Sequence, residues 1–218
     1  MRAHRASFLL ASRLIGAVRG ATSSACAATN NTLVTMGEAM LRLAPMDSAP
    51  PLTPSRHLPQ PFLRSIGGDE LNVAVALSLV GTPTRWISVL PTGPMGDAIT
   101  DSCAHHGVEY AGPRVEGDLG VFVVLPEEKR VHYQRRNAAF AQHDPSTLDW
   151  AALLDAPTPW LHMTGITPLV SDAARQSWDG ALAHAIGAKI PISLDLNHRK
   201  QLGTLDELWR IVAPHTRQ

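Results

Sequence analysis

Apolar residues recur along the chain with two alternating periods. Thr32–Met36 (TLVTM) predicts a strand. Asp69–Val80 predicts a helix whose main stripe is Leu71, Ala74, Val75, Ser78 and Leu79, with Gly81 at the C′ position. Apolar residues lie nearly all round that helix, which predicts a central place in the fold. Arg85–Leu90 predicts a strand, Met95–His106 a helix stopped by Gly107, and Trp160–Met163 a short strand. In Ser171–Ile186, Ser171 reads as the N-cap, and Ala174, Trp178, Ala181, Leu182 and Ala185 face the core. Ile192–Leu196 predicts another strand. A last helix over Thr204–Ala213 carries Leu205, Leu208, Trp209 and Val212 on one face. Strands alternating with amphipathic helices predict a mostly parallel α/β sheet flanked by helices.

Two segments interrupt this rhythm. Ala44–Pro61 holds six prolines (Pro45, Pro50, Pro51, Pro54, Pro59 and Pro61), which exclude helix and central strand. Gly120–Arg136 reads as a β-hairpin, GVFVVLP and RVHYQRR around a turn near Glu127–Lys129. Alternation sets His132 and Gln134 on one face, and Val131, Tyr133 and Arg135 on the other. Such a hairpin is either an edge decoration or a lid over a ligand.

Composition narrows the functions available. The 218 residues are 44% apolar and 17% charged, which is globular composition. Nineteen basic and nineteen acidic side chains cancel, which argues against a nucleic-acid partner. No uninterrupted apolar run reaches the length of a membrane span. Two cysteines, Cys26 and Cys103, make no disulfide framework, so a reducing compartment fits best. Residues 1–30 stand apart: Arg2, Arg5, Arg13 and Arg19 lie among serines and alanines, and the first acidic residue is Glu38. That is the composition of a transit peptide, which would direct the protein to mitochondrion or plastid. The rivals are a secretory signal, with Ala25-Cys26-Ala27 as cleavage site, and an extension without function; otherwise a cytoplasmic place is expected. In each case the fold begins at residue 31.

Three clusters carry chemistry. Ser65-Ile66-Gly67-Gly68-Asp69-Glu70-Leu71-Asn72 puts a glycine pair just before a helix, where backbone can approach a ligand and helix N–H groups point at it. A tight turn is the plainer alternative. Asp195-Leu196-Asn197-His198-Arg199 follows a strand, where ligands bind in open α/β sheets, or else forms a solvated loop with local Asx capping. Tyr133 and Arg135 share a hairpin face, and by themselves read as exposed strand residues. Ten histidines, His105-His106 among them, show no metal-ligand spacing, and Cys103 reads as buried filler.

In this order the pieces resemble the PfkB (ribokinase-like) sugar kinases, nearest the 2-keto-3-deoxygluconate kinases. The stretches that carry the resemblance are TMGEAMLRL (35–43), IGGDELNVAVALSLVG (66–81), GVFVVLP with RVHYQRR (120–136), WLHMTGITPLVS (160–171) and ISLDLNHR (192–199). The resemblance implies a ribokinase-like α/β fold with a β-lid from about 40–66 and 120–136, and a homodimer formed through that lid. It also implies ATP-dependent phosphorylation of a sugar or sugar acid, with Mg²⁺ as helper. Gly67, Gly68 and Asn72 would lie against the sugar, with Phe122, Tyr133 and Arg135 in the lid. Ile166 would contribute from the Gly-Ile-Thr-Pro loop, and Asp195, Asn197 and Arg199 from the D-x-N-x-R segment. Two arginines suit an acid sugar, because a guanidinium presents a planar fork to a carboxylate.

The resemblance has departures. Asp69 stands where the family usually has a small residue, and Phe122 and Gln134 where close relatives often have tyrosine. The family's G-A-G-D segment, with its anion hole and catalytic base, its N-x-x-E segment and its adenine-binding region are not found in these residues. Gly93-Pro94-Met95-Gly96-Asp97 mimics G-A-G-D but lies after the wrong strand. The expectation is therefore the N-terminal portion of a kinase domain, residues 31–218, with no catalytic base of its own. Such a chain would be inactive and poorly soluble alone. The rival is a kinase-derived protein that binds a sugar acid, or a partner, without catalysis.

Overall fold

The computed structural model describes residues 32–46, 61–125, 130–154 and 158–216. The N-terminal half runs β1 (Leu33–Met36), β2 (Met40–Pro45), β3 (Phe62–Gly67), α1 (Asp69–Leu79), β4 (Thr84–Ile87), β5 (Leu90–Pro91), α2 (Pro94–His105), β6 (Val108–Ala111) and β7 (Arg114–Val115). It continues with β8 (Val121–Leu125), β9 (Arg130–Gln134), α3 (Ala139–Gln142), α4 (Trp150–Leu153), β10 (Leu161–Thr164), α5 (Asp172–Gly187), β11 (Ile192–Asp195) and α6 (Leu205–Val212).

Five of the strands form one wholly parallel sheet in the order β11-β10-β1-β4-β6. Both faces are covered, as parallel sheets require. On one, Val34, Met36, Leu161 and Met163 pack with Trp178, Ala181, Leu182 and Ala185 of α5. On the other, Trp86 packs with Leu71 and Ala74 of α1 and Ile99 and Cys103 of α2. Helix α5 follows the sequence pattern closely. Ser171 Oγ accepts from the Ala174 N–H at 3.1 Å, and the five stripe residues are buried. Burial pushes the Cys103 thiol up to about 11, so it stays protonated, as a filler does.

A second sheet, β3-β2-β8-β9, is the hairpin Gly120–Arg136 extended by two strands. Phe122 pairs with Tyr133 across the hairpin, and β2 lies parallel to β8. Strand β2, an inner strand of this sheet, runs on through Ala44 to Pro45, inside the segment for which a central strand was excluded. Pro45 falls on its last residue, opposite Phe62, where a proline is tolerated. Residues 47–60 and the hairpin turn at 126–129 lie outside the described residues, as does the leader 1–30.

Three further expectations are corrected, in whole or in part. Arg85–Leu90 is two strands, because the chain leaves the main sheet at Ser88. There the Ser88 N–H bonds to the Ala111 carbonyl and Tyr110 Oη donates to the Ser88 carbonyl at 3.3 Å, after which β5 pairs with β7 instead. Helix α1 packs over the middle of the sheet, against β1 and β4, but is not buried all round. It lies on one face of the sheet, and Ala76, Leu79 and Val80 on its far side are exposed. In α6 only half the apolar stripe is covered: Leu208 and Val212 are buried, while Leu205 and Trp209 are about half exposed. Its N-terminus carries a full capping box between Thr204 and Glu207, so the helix is locally well specified despite that open side.

Candidate functional site

Strands β1, β10 and β11 all end at the same edge of the main sheet, and the second sheet stands over that edge. Between them is a cavity of about 320 Å³. Its near wall is the turn from β3 into α1. A side chain on Gly68 would come 2.5 Å from the Glu38 carbonyl, and one on Gly67 would come 2.8 Å from Phe122 Cζ. Close approach, not a special dihedral, is what the glycine pair supplies. Asn72 follows on the first turn of α1 and is exposed toward the cavity.

The roof is the second sheet. Ser65, Arg42, Phe122 and Tyr133 stand in one register row across β3, β2, β8 and β9. The Phe122 and Tyr133 rings lie 5.7 Å apart, and Arg42, Phe122 and Tyr133 all line the cavity. Arg135, expected as an exposed strand residue on hairpin pattern alone, is nearly buried and ion-paired to Glu38. Arg135 Nε and Glu38 Oε1 have no hydrogen-bond partner among the described residues. Burial raises the Glu38 carboxyl above its ordinary value, against the opposing pull of Arg135.

The far wall comes from the loops after β10 and β11. Ile166 lines it, held by its N–H to Thr164 Oγ1 at 3.1 Å. Thr164 and Thr167 in turn donate to Glu70 Oε1, at 2.7 and 3.1 Å. Glu70 is buried on α1, and that burial pushes its carboxyl up to about 7. Arg199 reaches back to Asp69 Oδ2 at 3.2 Å, both side chains roughly half exposed. Gln201 Nε2 donates to the Val131 carbonyl at 3.2 Å, tying this loop to the roof.

The structure thus brings Gly67, Gly68, Asn72, Phe122, Tyr133, Arg135, Ile166 and Arg199 around one cavity. Asp195 and Asn197 are not among its lining residues. The Asp195 carboxylate accepts from the Asn197 N–H at 2.9 Å, with Asn197 at φ +41°, which is the local Asx turn weighed from the sequence. Glu38, Glu70, Arg42 and Gln201 line the cavity without having been singled out. A first-turn acid such as Glu70 reads from sequence as a favourable helix-dipole charge, and nothing local marks it as buried.

The Gly93–Asp97 segment has a different job. Asp97 Oδ1 accepts from Arg114 Nη2 at 2.8 Å, and Arg114 Nε donates to the Pro91 carbonyl, so the motif fastens α2 to β5 and β7. Among the described residues no three His, Cys, Asp or Glu side chains are grouped to hold a metal ion, and no helix is long and apolar enough to cross a membrane.

Comparison with known proteins places these features in a wider setting. The pfkB family carbohydrate kinases match residues 30–212. A 2-dehydro-3-deoxygalactonokinase of Haloferax volcanii is 34% identical over 175 residues, 78% of this chain and 53% of that one. The crystal structure of a PfkB family carbohydrate kinase from Listeria grayi superposes with TM-score 0.73 at 30% identity, covering 84% of this chain and 57% of the other. That of the 2-dehydro-3-deoxygluconokinase of Thermotoga maritima gives 0.69 at 28%, covering 84% and 56%. The chain spans a little over half the length of each.

Proposed function

The chain belongs to the pfkB family of carbohydrate kinases, and from that premise we propose that the cavity under the second sheet is its sugar site. The substrate class we infer is a 2-keto-3-deoxy sugar acid, the gluconate or its galactonate epimer, which the whole protein phosphorylates on a hydroxyl. The observation that carries this reading is the cavity itself. Two aromatic rings, a side-chain-free Gly67–Gly68 wall and three arginines facing three carboxyls make a polar slot of monosaccharide size.

Within that reading each group has a physical task. Gly67 and Gly68 let hydroxyls approach the backbone, and Asn72 offers an amide that can both donate and accept. Phe122 and Tyr133 supply an apolar face to the sugar, and Ile166 closes the opposite side. The second sheet acts as the lid, and a homodimer formed through it is consistent with the exposed Leu63 on its β3 edge. Carbohydrate kinases of this family use ATP and Mg²⁺. Residues 32–216 present no metal-ligand cluster among those described, and the 218 residues hold no G-A-G-D segment. No phosphoryl-transfer step is therefore assigned to them. Their part is to bind and orient the sugar.

The test is thermal unfolding of the 218-residue chain with 2-keto-3-deoxygluconate, 2-keto-3-deoxygalactonate, fructose or ribose, alongside an ATP-turnover assay. A ligand at a hundred times its dissociation constant should stabilise by about 2.7 kcal/mol. The expected result is stabilisation by a keto-acid, little by the neutral sugars, and no turnover. Stabilisation by fructose or ribose alone would overturn the acid-sugar reading. Turnover would show that a base is present after all.

A further inference from the structure

Charge in the cavity is unevenly neutralised. Three arginines line it, Arg42, Arg135 and Arg199, and three carboxyls, Glu38, Asp69 and Glu70. Arg135 is committed to Glu38 in a nearly buried pair, and Arg199 to Asp69. Glu70 is held by the hydroxyls of Thr164 and Thr167. Arg42 alone among the three has no carboxylate partner in the described residues. Its Nη1 donates to the neutral Ser65 Oγ, at a long 3.4 Å.

Resting on the sugar-acid reading above, we infer that Arg42, rather than Arg135 or Arg199, is the residue that pairs with the carboxylate of the ligand and so sets specificity for an acid. Two arguments support the choice. To bind an anion, Arg135 must share a guanidinium already ion-paired with a buried carboxylate, and Glu38 would remain beside the incoming charge. Asp69 likewise stays next to Arg199 whichever partner that guanidinium takes, so the pair presents no net charge. Arg42 gives up only one long bond to an uncharged hydroxyl and gains an ion pair with the carboxylate, which can be bidentate.

Position supports the same choice. Arg42 stands in the roof row beside Phe122, its register partner on β8. Across the cavity wall, the absence of a side chain on Gly67 lets the Phe122 ring pack close to the turn. A side-chain carbon there would lie 3.8 Å from Arg42 Cβ and would already collide with Phe122. The sugar's carboxylate end would lie in the cavity that Arg42 lines together with the aromatic pair.

The test compares binding of 2-keto-3-deoxygluconate and its uncharged C1 amide to the 218-residue chain by titration calorimetry, for wild type, Arg42→Gln, Arg42→Lys and Arg199→Gln. Circular dichroism spectra confirm that each variant is folded. Arg42→Gln should weaken the acid about ten-fold or more, while the amide changes by less than about two-fold. Arg42→Lys should keep most of the acid's affinity, and Arg199→Gln should lose less than Arg42→Gln. Equal losses for acid and amide in Arg42→Gln, or a larger acid-specific loss in Arg199→Gln, would overturn the assignment while leaving the sugar site standing. A wild-type chain that binds neither compound would overturn the sugar-acid reading itself.

Discussion

Replacing Glu38 with alanine is expected to destabilise the chain by about 3–5 kcal/mol, because it leaves the Arg135 guanidinium buried without a counter-charge. The two side chains lie 97 residues apart in sequence and join the end of β1 to the roof. Their ionised forms are costly to bury, as the raised Glu38 carboxyl shows: desolvation outweighs the attraction of Arg135. The pair is therefore no large source of stability against apolar residues of the same volume, yet removing one member is severe. A double variant, Glu38→Leu with Arg135→Met, should recover most of the loss. Urea unfolding of the singles and the double closes this cycle. Additive losses would mean that the pair is not coupled and that the cost of Glu38→Ala comes from a cavity alone.

The second large effect is a pH dependence centred on Glu70. Its carboxyl is raised from about 4.5 to about 7 by burial, so between those values the folded chain holds a proton that the unfolded chain has released. Stability from this group is complete below pH 4.5 and is lost as pH rises through 7. The shift corresponds to about 3 kcal/mol across the window. Glu38 is raised too and acts in the same direction. His143 opposes them: burial lowers its value, so its contribution is present above 6.5 and is lost as pH falls. Glu70→Gln isolates the Glu70 share, since the amide oxygen can still accept from Thr164 and Thr167. The stability difference between wild type and Glu70→Gln should shrink by about 3 kcal/mol between pH 4.5 and pH 8. Parallel pH profiles would show that Glu70 does not hold the proton.

How far the sequence carries can be judged residue by residue. Helix α5 was legible in full, because a serine cap and a stripe spaced at 3.6 residues each report a local geometry. The break between β4 and β5 was not, since neither glycine nor proline marks it. It arises where Tyr110 and Ala111, more than twenty residues later, bond to Ser88. The short strand β6, VEYA after Gly107, offers too few residues for alternation to show.

The site divides in the same way. A glycine pair before a helix and the order of motifs were enough to single out Gly67, Gly68, Phe122, Tyr133 and Arg199, which the fold gathers around one cavity. Glu38 and Glu70 stayed invisible, because an acidic residue is solvated by default and these two are buried by partners more than ninety residues away. The pairing of Asp69 with Arg199 was equally non-local. Asp69 was noticed as an added charge, and its consequence, a neutralised Arg199, needed the structure to appear.

The central claim is that the cavity beneath the second sheet holds a sugar acid. A crystal structure of the chain grown with 2-keto-3-deoxygluconate tests it most directly. The account predicts the sugar between the Gly67–Asn72 turn and the Phe122–Tyr133 pair, with its carboxylate against Arg42. Sugar bound elsewhere on the chain, with this cavity unfilled at saturating ligand, would contradict it.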